Sequence, residues 1–396
     1  MSPFAICILL VASVLAMTLP DKNLQVKKSD ARHARLMSEL GRRYKRTMLA
    51  SLTGTCSDKN VVLRKEWHAL SAGQRREYIK AVRCLQSKPA TPPAGPARTR
   101  FEQFVLAHAD QSLLIHFSGL LLPWHRYFLS LYEKALRDEC GYQGHQPYWD
   151  WSRSAADPLN ASIFDGTDTS LGSNGKAIPH AGINLTNPVG PPPVSFFLRP
   201  AGSGGGCVSG PFENLTLHLD GSNAGASTPL KLRDRPRCLT RDFSWPILDE
   251  SNSYPRVLDL IINSSDIHSF LSAVEAPDGV HPGGHLFIGG DSLNLFTSPN
   301  EPLFYLHHAM LDRVWAIWQS RDWSARQNAL DGTLTAKNCE YIQDAQGQVR
   351  GLLMIPDPPS ANATVDDDMM VGNLGESRRI GEVMSTVGGY LCYVYD

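Results

Sequence analysis

Two apolar stretches that carry histidines limit most strongly how this chain can fold. The first, LIHFSGLLLPWHRYFLSLYEKAL at 114–136, holds His116 and His125 on either side of a leucine run. The second, LFYLHHAMLDRVWAIWQ at 303–319, holds His307 and His308. In the second stretch Leu306, Met310, Val314 and Ile317 recur at helical spacing. The first reads as a helix from Pro123, favourable in a first turn, to about Cys140. A buried imidazole costs free energy unless its ring nitrogens find partners. The fold must therefore be built from helices whose inner faces give those nitrogens something to bind.

The chain has 396 residues, enough for one large domain or two medium ones. It is 42% hydrophobic and 19% charged, so a sizeable core can form. The formal net charge is −1 and no long basic run occurs, which argues against nucleic acid as a partner. The opening MSPFAICILLVASVLAM reads as a signal peptide, assigned to 1–20, with Ala16 as a small-residue cleavage point. Its apolar part is too short to cross a membrane, and no later run is long enough. A secreted, extracellular protein without a membrane partner is expected. Sequons at Asn160, Asn184, Asn214, Asn263 and Asn362 agree with export and glycosylation. Seven cysteines follow the leader, so disulfides and at least one leftover thiol are expected. Cys207–Cys238, closing a loop-rich segment, is the pairing expected.

Residues 21–55 are polar and basic and read as a mobile lead-in or pro-segment. Regular structure is expected to begin near Val61. A helix should follow Ser71, with Leu70, Tyr78, Ile79, Val82 and Leu85 on one stripe. KPATPPAGPA at 88–97 is a loop. Residues 141–246, rich in Gly, Pro, Asn and Ser, read as long loops over the core and not as a separate domain. Helical patterns return at 256–275 and 302–320, and the last sixty residues look irregular or β-like.

Six of the 13 histidines form two groups. One is His108, His116 and His125. The other is His281 and His285, spaced to share a helix face, with His308. Neutral imidazole suits Cu, Zn, Fe and Ni. No carboxylate stands in ligand register, and HPGGH has glycine where a zinc protease carries its glutamate. Two all-histidine triads favour copper, with a zinc hydrolase as the alternative. His33, His68, His145, His180, His218, His268 and His307 read as ordinary core or surface residues.

The words around the six histidines resemble the type 3 copper proteins: tyrosinases, catechol oxidases and hemocyanins. HFSGLLLPWHRYFLSLYE resembles that family's first copper motif and NEPLFYLHHAMLDRVW its second. PYWDW at 147–151 and HPGGHLFIGGD at 281–291 are similar to further family segments. The resemblance spans 56–396, taken as one tyrosinase-like catalytic domain. It implies a mainly α fold, a four-helix bundle holding a dicopper site, with long loops and minor β structure. It implies two copper ions, one on His108, His116 and His125, the other on His281, His285 and His308. The implied reaction uses O2 to oxidise o-diphenols to o-quinones, as in a polyphenol oxidase, and some members hydroxylate monophenols.

The sequence also departs from that family. Where several fungal relatives carry a cysteine that crosslinks to the second histidine, this chain has Leu114. After His281, where efficient monophenolases often have Asn, it has Pro282, which has no polar side-chain atom. Catechol oxidase activity with weaker monophenol hydroxylation is the expectation. A true tyrosinase is the alternative, and a hemocyanin-like oxygen carrier a more distant one. By the same resemblance Glu275 would hold a water near the second copper. Phe296 and Pro282 would shape the mouth, and Phe304 would pack beneath the ligands. Asp312 would stand behind a metal-bound histidine. Arg126 and Glu133 read as structural charges. The ending Tyr393-Val394-Tyr395-Asp396 resembles the tyrosine motif that closes the core, with Arg64 as its partner, and no C-terminal plug domain is expected.

Overall fold

A computed structural model describes residues 19–155, 157–187, 194–222, 231–336, 339–343, 349–354 and 360–396. The apolar leader at 1–18 lies outside them. The chain is mainly helical: α1 (Leu19–Leu49), α2 (Ala72–Ser87), α3 (Arg100–Ile115), α4 (Leu121–Cys140), α5 (Trp151–Ala155), α6 (Trp245–Asn252), α7 (Tyr254–Asn263), α8 (Ile267–Glu275), α9 (Val280–Ile288), α10 (Leu303–Ser320) and α11 (Trp323–Arg326). Strands occur in pairs. A parallel pair joins β1 (Val62–Arg64) to β10 (Tyr393–Tyr395). Antiparallel pairs join β2 (Ile183–Asn187) to β3 (Val194–Leu198), β4 (Thr216–Ser222) to β5 (Lys231–Cys238), β6 (Cys339–Gln343) to β7 (Val349–Met354), and β8 (Asp368–Met369) to β9 (Arg378–Arg379).

The lead-in at 21–55 is not a mobile segment over residues 31–49. There the chain is the packed half of α1, with Met37, Tyr44 and Met48 buried. These residues fall on one helix face with Gly41, hidden in sequence among arginines and lysines. At Gly41 a Cβ would lie 3.2 Å from the Arg313 guanidinium, so glycine lets α1 sit close to α10. Regular structure thus starts well before Val61.

Capping boxes begin two of the core helices. Ser71 pairs with Gln74 at the start of α2, and Thr99 with Glu102 at the start of α3. Glu102 also accepts the backbone N–H of His218, which anchors the β4–β5 hairpin to α3. The loop-rich stretch at 141–246 is more regular than its composition suggests, since two hairpins run through it. Three disulfides, Cys56–Cys392, Cys84–Cys140 and the expected Cys207–Cys238, take six of the seven cysteines.

A buried polar hub fastens the ends of the chain to the bundle. Asp312 on α10 accepts from Arg126 Nε at 2.5 Å, from the Tyr393 hydroxyl at 2.5 Å and from the Tyr395 hydroxyl at 2.6 Å. Arg64 stacks over the Tyr393 ring at 3.6 Å and pairs with Glu133 at 2.7 Å. Arg64 is therefore the partner of the closing tyrosines, and Arg126 and Glu133 are structural charges. Each ion in this hub is buried and each is answered, the condition under which burying charge is tolerable.

Candidate metal centre

Four helices bring seven histidines together. His108 lies in the third turn of α3, and His116 ends that helix in an extended conformation. His125 is in the second turn of α4. His281 and His285 lie on α9, and His307 and His308 on α10. The α9 helix contains Pro-Gly-Gly, a poor helix sequence that here serves packing. A Cβ at Gly283 would collide with Ser251 and Asn252, and one at Gly284 would collide with the His307 ring. Both glycines let α9 press against α6 and α10. Pro282 occupies the first turn, where its missing N–H costs nothing.

The histidines form two groups that could each hold a metal ion: His108, His116 and His125, and His281, His285, His307 and His308. The groups face one another. The rings of His116 and His281 are parallel to within 6° at 5.7 Å, and those of His125 and His308 to within 9° at 4.2 Å.

Backbone carbonyls fix the ring orientations. Nδ1 of His108 donates to Phe296 O at 2.9 Å, that of His116 to Ser112 O at 2.7 Å, and that of His125 to Leu121 O at 2.8 Å. Nδ1 of His285 donates to Ser292 O at 3.1 Å. A carbonyl can only accept, so in these rings Nδ1 carries the hydrogen and Nε2 holds a lone pair. Nε2 of His108, His125, His281, His307 and His308 is buried with no hydrogen-bond partner. Burial drives all seven rings toward the neutral form, to about 4 for His116 and about 3 for His285. Neutral nitrogen donors aimed inward in two sets fit copper, and among the described residues no carboxylate joins either set.

The other residues singled out by sequence fall in several places. Phe304 sits between the groups, 4.2 Å from the His308 ring and 5.2 Å from the His108 ring. Phe296 is buried, and its carbonyl reaches His108. Asp312 does not stand behind a metal-facing histidine. It is one turn beyond His308, and its oxygens are taken by Arg126, Tyr393 and Tyr395. Glu275, the last residue of α8, accepts the backbone N–H of Phe117. His307, read from sequence as ordinary, joins the second group. Its ring also packs on Trp151 at 5.2 Å and fills the notch at Gly284. The glycine pair in HPGGH was the available signal for that wedge.

A helical bundle enclosing two facing all-histidine groups defines a paired metal centre. The family model described as the common central domain of tyrosinase matches residues 98–321. The tyrosinase-like protein orsC of Emericella nidulans is 41% identical over 305 residues, 73% of this chain and 82% of that protein. Tyrosinase P of Aspergillus terreus is 36% identical over 355 residues, 84% of this chain and 91% of its own. The structure of a mutant polyphenol oxidase from Thermothelomyces thermophila superposes with a TM-score of 0.79 at 36% identity, covering 91% of this chain and 97% of that one. The chain belongs to the tyrosinase family and is an oxidoreductase of that type. Membership implies a dinuclear copper site and phenols with O2 as substrates.

Proposed function

We propose that the protein is a secreted dicopper oxidase that converts o-diphenols to o-quinones and hydroxylates monophenols weakly. His108, His116 and His125 would hold one copper, and His281, His285 and His308 the other. The observation that carries this reading is the set of buried, unpartnered Nε2 atoms on His108, His125, His281 and His308, with the His108 and His125 rings held from behind by carbonyls. His308 is preferred to its neighbour because its ring lies against His125 and Phe304, between the groups, whereas the His307 ring is wedged against Gly284 and Trp151. Bound copper would supply O2 activation and take up the electrons; two o-diphenols and one O2 give two o-quinones and two waters. The apolar ring of Phe304 keeps the space between the groups dry. Pro282 offers no polar side-chain atom beside His281 to take a phenol proton, which favours substrates with two hydroxyls.

Secretion rests on the apolar leader and the three disulfides. Among the described residues no helix is long and apolar enough to cross a membrane. N-terminal sequencing of protein recovered from culture medium tests export, with a mature chain beginning near residue 20 as the expected result.

Oxygen uptake by copper-loaded protein, with catechol and a matched monophenol in parallel, tests the activity. Fast uptake with catechol and slow uptake with the monophenol is expected. Comparable rates would make it a tyrosinase and remove the argument from Pro282.

A further inference from the structure

His116 is the last residue controlled by α3, and the residue after it is backbone-strained. Phe117 has φ of 53°, the left-handed region that a side chain with a Cβ avoids. Of the non-glycine residues described, only Phe117 adopts it. Such a conformation persists only when its surroundings enforce it. The enforcing contact is visible: the Glu275 carboxylate accepts the Phe117 N–H. Gly119 then donates to Thr333 O, and Ser118 bonds back to Leu114 O, so the turn is held on both sides.

The position of Glu275 gives this contact its meaning. It ends α8, six residues before His281 on α9. One hydrogen bond therefore joins the turn leaving the first histidine group to the segment entering the second. The two rings it brackets, His116 and His281, are the parallel pair at 5.7 Å.

We infer that Glu275 is a positioning residue that sets the spacing between the two half-sites by clamping Phe117, and that its acceptor oxygen, not its charge or basicity, does this. The inference rests on the ligand assignment above. It differs from a water-holding or proton-accepting role, which needs the ionisable carboxylate.

Three variants of the full chain separate these roles. Glu275→Gln keeps an acceptor oxygen and removes the charge, Glu275→Ala removes both, and Glu275→Ala with Phe117→Gly relieves the left-handed strain. The first readout is hydrogen exchange at the residue-117 amide in metal-free protein. The second is copper bound per chain after dialysis. The third is electron paramagnetic resonance of the cupric form, in which two ions close enough to share a bridging ligand couple and lose their signal.

Glu275→Ala should speed exchange at Phe117 by about tenfold, the loss of the one hydrogen bond that holds its amide. It should also leave copper under-bound or visible by resonance. Glu275→Gln should keep amide protection and a silent copper pair, and the double variant should recover the silent pair. Glu275→Gln losing the pair as fully as Glu275→Ala would overturn the inference, and so would a protected amide in Glu275→Ala. Glu275→Gln remains decisive where the alanine variant fails to fold. Wild-type protein that binds fewer than two coppers would refute the ligand assignment while leaving the exchange result to judge the clamp.

Discussion

Gly284 and His307 touch so closely that a single added methyl at Gly284 would overlap the imidazole. The contact sets how near α9 approaches α10. Gly284→Ala should push the second histidine group apart. Overpacking of this kind costs about 1–3 kcal/mol. The expected result is a lower urea midpoint with copper reduced from two per chain toward one, read by metal analysis on folded protein.

The same contact divides the labour of the adjacent histidines. His308→Ala should lose the second copper and the oxidase activity with little change in folding. His307→Ala should keep measurable copper at both positions and lose stability, since it empties space beside Trp151. The opposite pattern in copper content would transfer the ligand role to His307.

Removing the hub should be costly without touching the metal. Asp312→Ala leaves Arg126 buried beside Trp315, 3.7 Å above its ring, with its carboxylate partner gone. A stranded buried charge costs about 3–5 kcal/mol. Denaturant unfolding should show a loss of that size, whereas Tyr395→Phe, which deletes the hydrogen bond to Asp312 and the one from Arg64, should lose about 2 kcal/mol.

Acid should act partly through Glu133. Burial alone would raise its carboxyl, but Arg64 and His145 beside it hold it down to about 2. The folded state thus binds the proton later than the unfolded chain does. The stabilisation is fully present above the ordinary carboxyl range and is lost as pH falls from there through about 2. It is on the order of 3 kcal/mol. Urea midpoints between pH 5 and pH 2 should fall more steeply in wild type than in Glu133→Gln; parallel curves would refute this origin.

Three of the clustered histidines were legible because they sit in long words whose apolar neighbours and spacing leave little freedom: His116 and His125 in one, His308 in the other. The helix carrying His108 was not. In α3 nearly every face is buried, from Phe101 through Gln103 to Ser112, so no polar stripe marks its period. The packed half of α1 was hidden for the opposite reason, since three apolar residues are spread among many cations. The strand pairs β2–β3 and β4–β5 were missed because proline dominates the segment that joins the first and short Asn, Ala, Gly, Ser and Thr residues the segment that joins the second. The role of Asp312 depended on tyrosines more than 80 residues away, which no local pattern encodes.

The pairing of β1 with β10 has a temporal side. Arg64 and Tyr395, which it brings together, are 331 positions apart, so a chain emerging from the ribosome holds Arg64 long before its partner exists. Until then Asp312 has neither tyrosine, and Arg64 is a cation without its aromatic stack. The hub therefore closes only after Tyr395 has been made, however early the helices around it gather. Strand β10 completes β1, and a nascent chain interrupted between His308 and Tyr393 would carry every one of the seven clustered histidines but not the clasp that holds their helices shut.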